Sequence, residues 1–486
     1  MSSNPILKGF NPDPSICQAN GKFYIAVSTF EYFPGVTLYE SEDLSTFRYV
    51  HSALSKESQL DLKGCKNSTG IYAPTLRFNE GTFYLVTTNK HTKWNFIVHA
   101  NDIKGPWSEP LLVSPMGIDP SLFFDDDGAC YYTSNGTIEG QKGIVGAPID
   151  PDTGRLLAPL SLISKGCSGC ATEAPHIYKR NAWYYLVMAE GGTEYGHHSV
   201  VVRSKTLGGP YEENPHNPIL SHTHRKGHPI QCTGHADLLR LENGRWVAVF
   251  LAIRMPGRAL LHNLGRESFL AEVAWEKDWP IIGDGGMVEL GDTKSKLLFV
   301  DFSQDLEDYP LLKVRTPKKA CYLQDADEAA LSLQGEQKLS ATVESPTLLA
   351  IRQEEFCSTF EAHLDTENLT AKAGVVAWYN SDYHVKLQVC MPDEATLSVS
   401  LIRQVHGFEA RSESITLKQQ QGLPLLLQII SDTEHYHFFC NGTKIGSASI
   451  ACLCSEATMY MTFTGTLFGI YAEEGNATFK KGLMLS

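Results

Sequence analysis

The sequence predicts an all-β protein in which a five-bladed β-propeller is followed by a β-sandwich. Three observations lead to this prediction. Five segments rich in aromatic and β-branched residues recur in the first half, and their first aromatic residues lie 60, 48, 52 and 63 residues apart. A repeated all-β unit of about 40 to 50 residues is typical of propeller blades. Strands of alternating polarity fill the second half, which indicates a sandwich.

Each of the five repeated segments has the composition of a strand and begins after a turn. They are "KFYIAVST" from Lys22, "TFYLVTTN" from Thr82, "ACYYTSNG" from Ala129, "AWYYLVMA" from Ala182 and "RWVAVFLA" from Arg245. Gly, Asn or Asp precedes each one, and no helical apolar period extends over a comparable length. Five such units predict five blades.

The character of the chain changes after residue 280. The stretch "GDGGMVELGDTKSK" (283–296) is rich in Gly and Asp and predicts a linker across the surface. Beyond it, "FCSTFEAHLD", "AGVVAWYNSDYHVKLQVC" and "TGTLFGIYAEE" alternate polar and apolar residues between Asn, Asp and Gly turns. We therefore predict a five-bladed propeller domain over residues 1–292 and a β-sandwich domain over residues 298–486.

The composition is that of a globular chain, with 42% hydrophobic and 20% charged residues among 486. A formal net charge of −14 without a dense Lys/Arg cluster argues against nucleic acid. The same charge argues against an anionic membrane as partner, and no apolar run approaches the roughly 20 residues of a membrane span. A neutral substrate is compatible with this charge.

The start of the sequence, "MSSNPILKGF", lacks the basic and apolar regions of a signal peptide. This predicts a cytoplasmic protein, or a secreted one if a leader has been removed. Twelve cysteines are scattered along the chain, and the pair Cys167-Ser-Gly-Cys170 has no second pair or histidines at zinc spacing. We therefore expect reduced thiols.

Ionisable residues precede the repeated strands at equivalent positions. Asp13, Asp119, Glu173 and His235 lie 10 to 12 residues before the first aromatic residue of their strands, and Ala73 holds this place in the second unit. Prolines beside four of the five positions stiffen the chain there. Because equivalent positions of successive blades meet around the axis, these side chains should converge in one pocket. Turn residues repeated with the blade are the alternative, but they would favour short side chains over Glu and His.

Two carboxyl groups across a pocket are the equipment of glycoside hydrolysis. One of them, kept protonated, protonates the leaving oxygen, and the other activates water or attacks directly. A third carboxylate beside the acid would raise its pKa through like-charge repulsion. The sequence contains no nucleophile elbow, P-loop or nucleotide-binding glycine-rich turn. Hydrolysis by carboxyl groups is therefore the predicted chemistry.

Six motifs follow one another along the chain: "GFNPDPSI", "STFEYFPG", "GIYAPTLRF", "IDPSLFFDDDG", "TEAPHIYKRNAWYYLVMAEGGTEYGHHSVVVRS" and "LGRE". In this order they resemble glycoside hydrolase family 43, in particular its β-xylosidase and α-L-arabinofuranosidase branch. That branch carries a concanavalin-like β-sandwich behind the five-bladed propeller. The resemblance implies an inverting hydrolase with Asp13 as general base, Glu173 as general acid and Asp119 as the residue that modulates the pKa of the acid.

The resemblance also implies substrate-binding residues, which are Phe30, Tyr72, His235, Arg266 and Phe463. Arg266 would reach sugar hydroxyls at the non-reducing end, with a surface ion pair to its neighbour in sequence as the alternative. The aromatic residues would form apolar walls against the sugar ring, with blade or sandwich core as the alternative. Phe463 would come from a loop of the second domain, where Phe468 is the second candidate.

Three histidines are expected near the propeller axis. His235 would hold water or a divalent cation such as calcium there, although a lone histidine is a weak sign of a calcium site. His197 and His198 in "EYGHH" would line the same pocket. The predicted chemistry requires no cofactor.

These expectations combine into an exo-acting, inverting enzyme that releases D-xylose from the non-reducing ends of xylo-oligosaccharides. α-L-Arabinofuranosidase activity is a side reaction or the main one, because the two sugars present similar hydroxyl patterns to such a pocket, and the alternative enzyme removes arabinose side chains from arabinoxylan. Tyr72 stands where many β-xylosidases of this branch have tryptophan, which leaves the identity of the pentose open. A non-catalytic carbohydrate-binding propeller is a further alternative. An invertase-like fructosidase would carry "NDPNG" and "RDP" motifs, which this sequence lacks. Homo-oligomers are compatible with such an enzyme, but no interface can be read from the sequence.

Overall fold

The computed structural model describes residues 4–257, 261–291, 297–393, 395–419 and 422–486. Over these ranges the chain forms 39 β-strands. Its helices there are four short 3-10 turns, which are η1 (Leu306–Asp308), η2 (Lys319–Cys321), η3 (Ile450–Leu453) and η4 (Ser455–Ala457). No described helix is long and apolar enough to cross a membrane. The prediction of an all-β protein is confirmed.

Five antiparallel sheets form the blades, and consecutive stretches of chain build them in turn. The first contains β1 (Ser15–Ala19), β2 (Lys22–Val27), β4 (Gly35–Ser41) and β5 (Arg48–Leu54), with β3 (Tyr32–Phe33) lying outside it. The second contains β6 (Thr75–Asn79), β7 (Thr82–Asn89), β8 (Trp94–Ala100) and β9 (Leu111–Ser114). The third contains β10 (Ser121–Phe124), β11 (Cys130–Ile138), β12 (Gln141–Asp150), β13 (Arg155–Leu156) and β14 (Ser161–Ser164).

The last two blades follow the same order. The fourth contains β15 (Glu173–Arg180), β16 (Trp183–Glu190), β17 (His198–Ser204), β18 (Glu212–Glu213) and β19 (Leu220–Ser221). The fifth contains β20 (Ile230–Arg240), β21 (Trp246–Arg254), β22 (Glu267–Glu276) and β23 (Trp279–Ile282). The five repeated segments of the sequence form the second strands of the blades, β2, β7, β11, β16 and β21. The prediction of five blades is therefore confirmed.

Tight turns place the residues upstream of each repeated segment on the first strand of its blade. Asn20 and Gly21 join β1 to β2 with φ of 51° and 77°, as a two-residue hairpin turn with left-handed residues requires. Glu80 and Gly81 repeat this between β6 and β7 with φ of 48° and 85°. The turn residues read from the sequence thus fix the register of the hairpins.

The ring of blades closes through the N-terminal segment. The backbone N–H groups of Ile6 and Leu7 donate to the carbonyl of Ser268 in β22, at 2.9 and 3.2 Å, and Ser268 N–H returns a bond to Leu7. The Asn4 side chain bonds both backbone groups of Leu270. The first blade is therefore attached to the fifth without an exchanged strand.

A buried ion pair lies where the first strands of the blades meet. Asp237 on β20 receives two hydrogen bonds from the Arg77 guanidinium of β6, at 2.8 and 3.0 Å. The hydroxyls of Ser15 on β1 and Tyr178 on β15 each donate to the same carboxylate at 2.6 Å. His176 of β15 contacts Arg77 through Nδ1 at 3.0 Å. We call these five side chains the axial network.

The axial network reaches all five blades, because Arg77 also donates to the carbonyl of Leu122 on β10. The positive charge of Arg77 keeps the pKa of Asp237 well below its usual range, against the effect of burial. Burial lowers the pKa of His176 to about 3, so this histidine is neutral near pH 7. The axial network therefore contains one ion pair, and both oxygens of its carboxylate accept hydrogen bonds.

The second domain packs two antiparallel sheets face to face around one apolar core. The first sheet contains β24 (Leu298–Val300), β26 (Tyr322–Asp325), β27 (Ala330–Gly335), β29 (Ser358–Asp365), β35 (Leu425–Ser431), β36 (His435–Cys440), β37 (Thr443–Ser449) and β39 (Gly475–Leu485). The second contains β25 (Leu312–Val314), β28 (Thr347–Arg352), β30 (Lys372–Trp378), β31 (Tyr383–Asp393), β32 (Thr396–Val405), β33 (Phe408–Arg411), β34 (Ile415–Lys418) and β38 (Leu467–Glu473). The last blade strand ends at Ile282, and residues 292–296 of the predicted linker lie outside the described residues.

One strand of the propeller chain joins the sandwich. β3 pairs with β25, with Tyr32 opposite Val314 and Phe33 opposite Lys313, so it extends the second sheet. Arg315 follows β25, is fully buried, and donates to the carbonyl of Cys65 at 2.5 Å and to Oδ1 of Asn67 at 2.8 Å. The sequence did not predict this shared sheet.

We expect the axial ion pair to dominate the stability of the propeller. Asp237→Asn leaves the buried Arg77 charge without its counter-ion, which typically costs about 3 to 5 kcal/mol. The thermal midpoint should fall by roughly 5 °C or more in a calorimetric scan. Glu272→Gln is the matched control, because it breaks an ion pair with Arg245 in which both side chains are mostly exposed. Equal midpoints for the two variants would contradict the role assigned to the axial network.

Candidate active site

Asp13 lies buried just before β1, in a left-handed backbone conformation with φ of 54°. Arg266 donates from Nη1 to Oδ1 of Asp13 at 2.8 Å, and the Ser28 hydroxyl donates to Oδ2. His235 stands 3.9 Å from the same Oδ1 through its Nδ1. Asp13 is therefore a carboxylate held by a cation and a hydroxyl, next to a histidine.

The same backbone conformation occurs in three of the other four blades. Asp119 and His235 have φ of 53° and 57°, and beside Glu173 the next residue, Ala174, has φ of 52°, whereas Ala73 of the second blade is not among the residues with positive φ. Left-handed φ is uncommon for residues other than glycine and costs free energy, so the surrounding structure must impose it. The blade repeat thus aims these side chains by a shared backbone bend.

Glu173 begins β15, and the pairing of β15 with β16 shifts register between Glu173 and His176. This irregularity bends the start of the strand at Glu173. Burial and, next, the negative charge of Asp13 raise the pKa of Glu173 to about 7, against the opposing effect of Arg266. Glu173 is therefore a carboxyl group that retains its proton close to neutral pH.

Asp119 is a second buried carboxyl group with a raised pKa. Burial is the largest cause, followed by the charges of Glu173 and Asp13, and together they raise the pKa of Asp119 well above its usual value. Asp119 and Glu173 thus share one buried site with Asp13, and the role of Asp119 as modulator of the pKa of the acid stays a prediction.

Arg266 connects the carboxyl groups to both domains. Its Nη1 donates to Thr193 Oγ1 at 3.0 Å as well as to Asp13, and its Nη2 donates to the carbonyl of Phe463 at 3.3 Å. Its buried Nε has no hydrogen-bond partner among the described residues. The alternative of an ion pair with Glu267 is wrong, because both oxygens of that carboxylate bond to Arg254.

The three predicted aromatic residues lie together and are called here the aromatic wall: Phe30, Tyr72 and Phe463. Phe30 and Phe463 stack with ring centroids 5.6 Å apart, and Tyr72 lies 5.2 Å from Phe30 and 5.9 Å from Phe463. The Arg266 guanidinium lies 5.4 and 5.6 Å from the centroids of Phe30 and Phe463. Phe30 is buried behind Tyr72 and Phe463, which are half-exposed.

The remaining predicted residues, His197, His198 and Phe468, lie in different surroundings from one another. His197 is buried, its Nδ1 lies 3.1 Å from the carbonyl of Cys232, and burial lowers its pKa to about 3. His198 lies 3.9 Å from Glu190. Phe468 is fully buried in the sandwich core, so that candidate is not at the site. Among the described residues, no group of three or more His, Cys, Asp or Glu side chains is arranged to hold a metal ion.

The sequence analysis missed the residue that fixes the loop before Glu173. Glu190, at the end of β16, is fully buried and accepts hydrogen bonds from the N–H groups of Cys167 and Ser168 at 2.7 and 2.9 Å. The hydroxyls of Ser168 and Thr172 add bonds of 2.6 and 3.0 Å. The only sequence signal was an acidic residue at the end of an otherwise apolar strand.

A cavity of about 580 Å³ opens at the other end of the first strands. Their last residues line it, among them Gln18, Asn79, Lys179 and Arg240. None of the candidate site residues lines this cavity. The carboxyl groups therefore lie at the opposite end, where the first strands begin.

A five-bladed propeller with buried carboxyl groups at its axis, among them Glu173 with a raised pKa, has the architecture of a carboxylate glycosidase. Residues 2–280 match the model of glycosyl hydrolases family 43, and residues 300–481 match the C-terminal concanavalin A-like domain of β-xylosidases. The chain belongs to glycosyl hydrolase family 43 and is a glycosidase. The resemblance inferred from the six motifs is confirmed, as is the concanavalin-like character of the second domain.

Relatives of similar length carry the names of two activities. The non-reducing end alpha-L-arabinofuranosidase BoGH43B of Bacteroides ovatus is 35% identical, over 96% of this chain and 90% of its own. A xylosidase/arabinosidase of Butyrivibrio fibrisolvens is 34% identical, over 98% and 97%. The crystal structure of a xylan beta-1,4-xylosidase from Bacillus halodurans is 32% identical, covers 100% of both chains and superposes with a TM-score of 0.91.

The raised pKa of Glu173 predicts a stability effect that depends on pH. Folding holds the proton on Glu173 more tightly than its ordinary pKa of 4.5 would, so ionisation costs stability as pH rises from about 4.5 through about 7. Glu173→Gln cannot ionise. Its thermal midpoint should exceed that of the wild type by several degrees near pH 8 and by much less near pH 5.

The control for this measurement is Glu272→Gln, an exposed glutamate whose loss should shift the midpoint equally at both pH values. A difference between Glu173→Gln and wild type that is the same at both pH values would contradict a raised pKa at Glu173.

Proposed function

We propose that this glycosidase is an exo-acting, inverting enzyme that releases D-xylose from the non-reducing ends of xylo-oligosaccharides and also cleaves terminal α-L-arabinofuranosides. In the proposed reaction Glu173 donates its proton to the glycosidic oxygen. Asp13 takes a proton from a water molecule, whose oxygen forms the new bond to the anomeric carbon as the bond to the leaving sugar breaks. Atoms and charge balance, since the proton lost by Glu173 is matched by the one gained at Asp13.

The observation that carries this proposal is the difference in surroundings between the two carboxyl groups. Asp13 accepts hydrogen bonds from the Arg266 guanidinium at 2.8 Å and from the Ser28 hydroxyl, which hold its carboxyl group in place. Burial and the charge of Asp13 raise the pKa of Glu173 to about 7 and favour its protonated form, as an acid requires. A buried carboxyl group of raised pKa beside a second carboxyl group is the arrangement that glycosidases use. A binding propeller without catalysis gives no reason for a raised pKa at Glu173.

The aromatic wall supports exo action. Phe463, from the sandwich, stacks on Phe30 of the propeller, so the second domain covers one side of the site. A subsite closed by two domains accepts the end of a chain more readily than its middle. The half-exposed rings of Tyr72 and Phe463 are suited to the apolar face of a pentose.

The names of the relatives support both pentoses. They include an arabinofuranosidase, xylosidase/arabinosidases and β-xylosidases at 32 to 35% identity. The proposed proton transfers are carried by the side chains of Glu173 and Asp13. Asp119, whose own pKa is raised by burial and by the charges of Glu173 and Asp13, is the proposed modulator of the pKa of the acid.

We expect the loss of activity to depend on the leaving group of the substrate when Glu173 is replaced, but not when Asp13 is replaced. Glu173→Ala should lower the rate on xylobiose by about 10²- to 10⁴-fold, and less on 4-nitrophenyl β-D-xylopyranoside, whose leaving group needs little protonation. Asp13→Asn should abolish most activity on both, because water activation is needed in each case. Initial rates on both substrates and on 4-nitrophenyl α-L-arabinofuranoside test this.

The control is Asp126→Asn, an acidic residue that is 84% exposed and lines the cavity at the opposite end of the first strands. Activity on the arabinoside alone would mean that the enzyme is an α-L-arabinofuranosidase, and the proposed roles of the carboxyl groups would stand. If the wild type cleaves none of the three substrates, the proposed function is wrong.

Inversion predicts the configuration of the first product. Hydrolysis of a β-xyloside by direct attack of water should release α-D-xylose first, and mutarotation should follow. Proton NMR of the anomeric signals during the first minutes measures this. Initial release of β-D-xylose would exclude Asp13 as a general base and indicate a covalent intermediate instead.

A further inference from the structure

Ser68 forms hydrogen bonds with Phe463, with Tyr72 and with Glu31, the residue next to Phe30. It is buried, with 3% of its surface exposed, and has a left-handed φ of 56°. Its hydroxyl oxygen accepts a hydrogen bond from the backbone N–H of Phe463 at 3.0 Å. Its carbonyl accepts one from the Tyr72 hydroxyl at 3.2 Å. Its own N–H donates to Oε2 of Glu31, the residue next to Phe30, at 3.0 Å.

The hydroxyl, the carbonyl and the N–H of Ser68 therefore each form a hydrogen bond, and each bond reaches a different segment that carries a residue of the aromatic wall. Two of the three segments belong to the propeller, and the third, with Phe463, belongs to the sandwich. A non-glycine residue with positive φ persists only where its surroundings impose that conformation, and such residues concentrate at functional sites.

The sandwich domain also holds the residues directly around Ser68. Arg315 bonds to Oδ1 of Asn67, and its N–H donates to the carbonyl of Glu31 at 2.7 Å. The Asn67 amide donates to Asp382 and to the Tyr460 hydroxyl at 3.2 and 3.1 Å. Arg315 thus fixes both neighbours on which the position of Ser68 depends.

We propose that Ser68 is a positioning residue through which the sandwich domain sets the aromatic wall of the sugar subsite, an inference that rests on the proposed function. Loss of its hydroxyl leaves the Phe463 N–H without its acceptor and releases the ring from Phe30 and Tyr72. Because the wall would contact the sugar ring equally in the ground state and the transition state, its displacement weakens substrate binding and leaves the chemical step nearly unchanged.

The test compares Ser68→Ala and Ser68→Gly with the control Ser204→Ala. Ser204, at the end of β17, is also 3% exposed, its hydroxyl accepts the backbone N–H of Thr206 at 3.2 Å, and no hydrogen bond of its side chain reaches the wall in the described part of the chain. Both Ser68 variants should raise KM on the better nitrophenyl glycoside by about five- to tenfold with kcat within about twofold. Ser204→Ala should leave KM unchanged. Glycine relieves the positive φ, so recovery in Ser68→Gly would assign the effect to strain and overturn the proposal.

A double-mutant cycle identifies Phe463 as the target. Phe463→Ala alone should raise KM, and adding Ser68→Ala to it should raise KM no further, because the acceptor then has no ring to hold. Additive effects on KM would overturn the proposal. If Phe463→Ala leaves KM unchanged while the wild type is active, the wall does not contact substrate and the proposal also fails.

Hydrogen exchange provides a readout that does not require activity. The Phe463 amide should be protected in the wild type and in Ser204→Ala, and it should exchange at least about tenfold faster in Ser68→Ala, in peptides covering 461–466. An inactive wild type with this pattern would refute the proposed function but keep the positioning role. Unchanged exchange in Ser68→Ala would refute the positioning role even if the enzyme is active.

Discussion

The ion pair between Arg77 and Asp237 is the constraint on which the propeller depends. Each blade places its first strand against the axis, where Asp237 is fully buried and its carboxylate needs partners from the protein. Asp237 accepts hydrogen bonds from three blades, and Arg77 carries the connection to a fourth through Leu122. Packing alone would tolerate small rotations of one blade against another, whereas a fully bonded carboxylate does not.

This rigidity at the axis explains how the site can hold strained residues. His235 lies two residues before Asp237 on the same strand, and Asp13 lies two residues before Ser15. Both take left-handed φ values, and the axial bonds just beyond them fix the strands that follow. The free-energy cost of these bends is offset by the network, so the carboxyl groups reach the pocket in defined directions.

Much of this could be predicted from the sequence, because it depends on local chemistry that repeats. The hairpin at Asn20 and Gly21 and the prolines around Asp13 follow from backbone preferences of single residues. Arg77 and Asp237, in contrast, are 160 residues apart, and nothing local marks either as the other's partner. The pairing of β3 with the sandwich was missed for the same reason, since two residues are too short to give a strand pattern.

The interface between the domains determines the surroundings of the two carboxyl groups. Arg266 is hydrogen-bonded to Asp13, and its positive charge opposes the rise in the pKa of Glu173 that burial and Asp13 cause. The Nη2 of Arg266 is held at the carbonyl of Phe463, on the sandwich, and its guanidinium carbon lies 5.6 Å from the centre of the Phe463 ring. The position of Arg266, and with it the charge that acts on Glu173, therefore depends on the sandwich. The second domain thus contributes to the electrostatics of the site as well as to its shape.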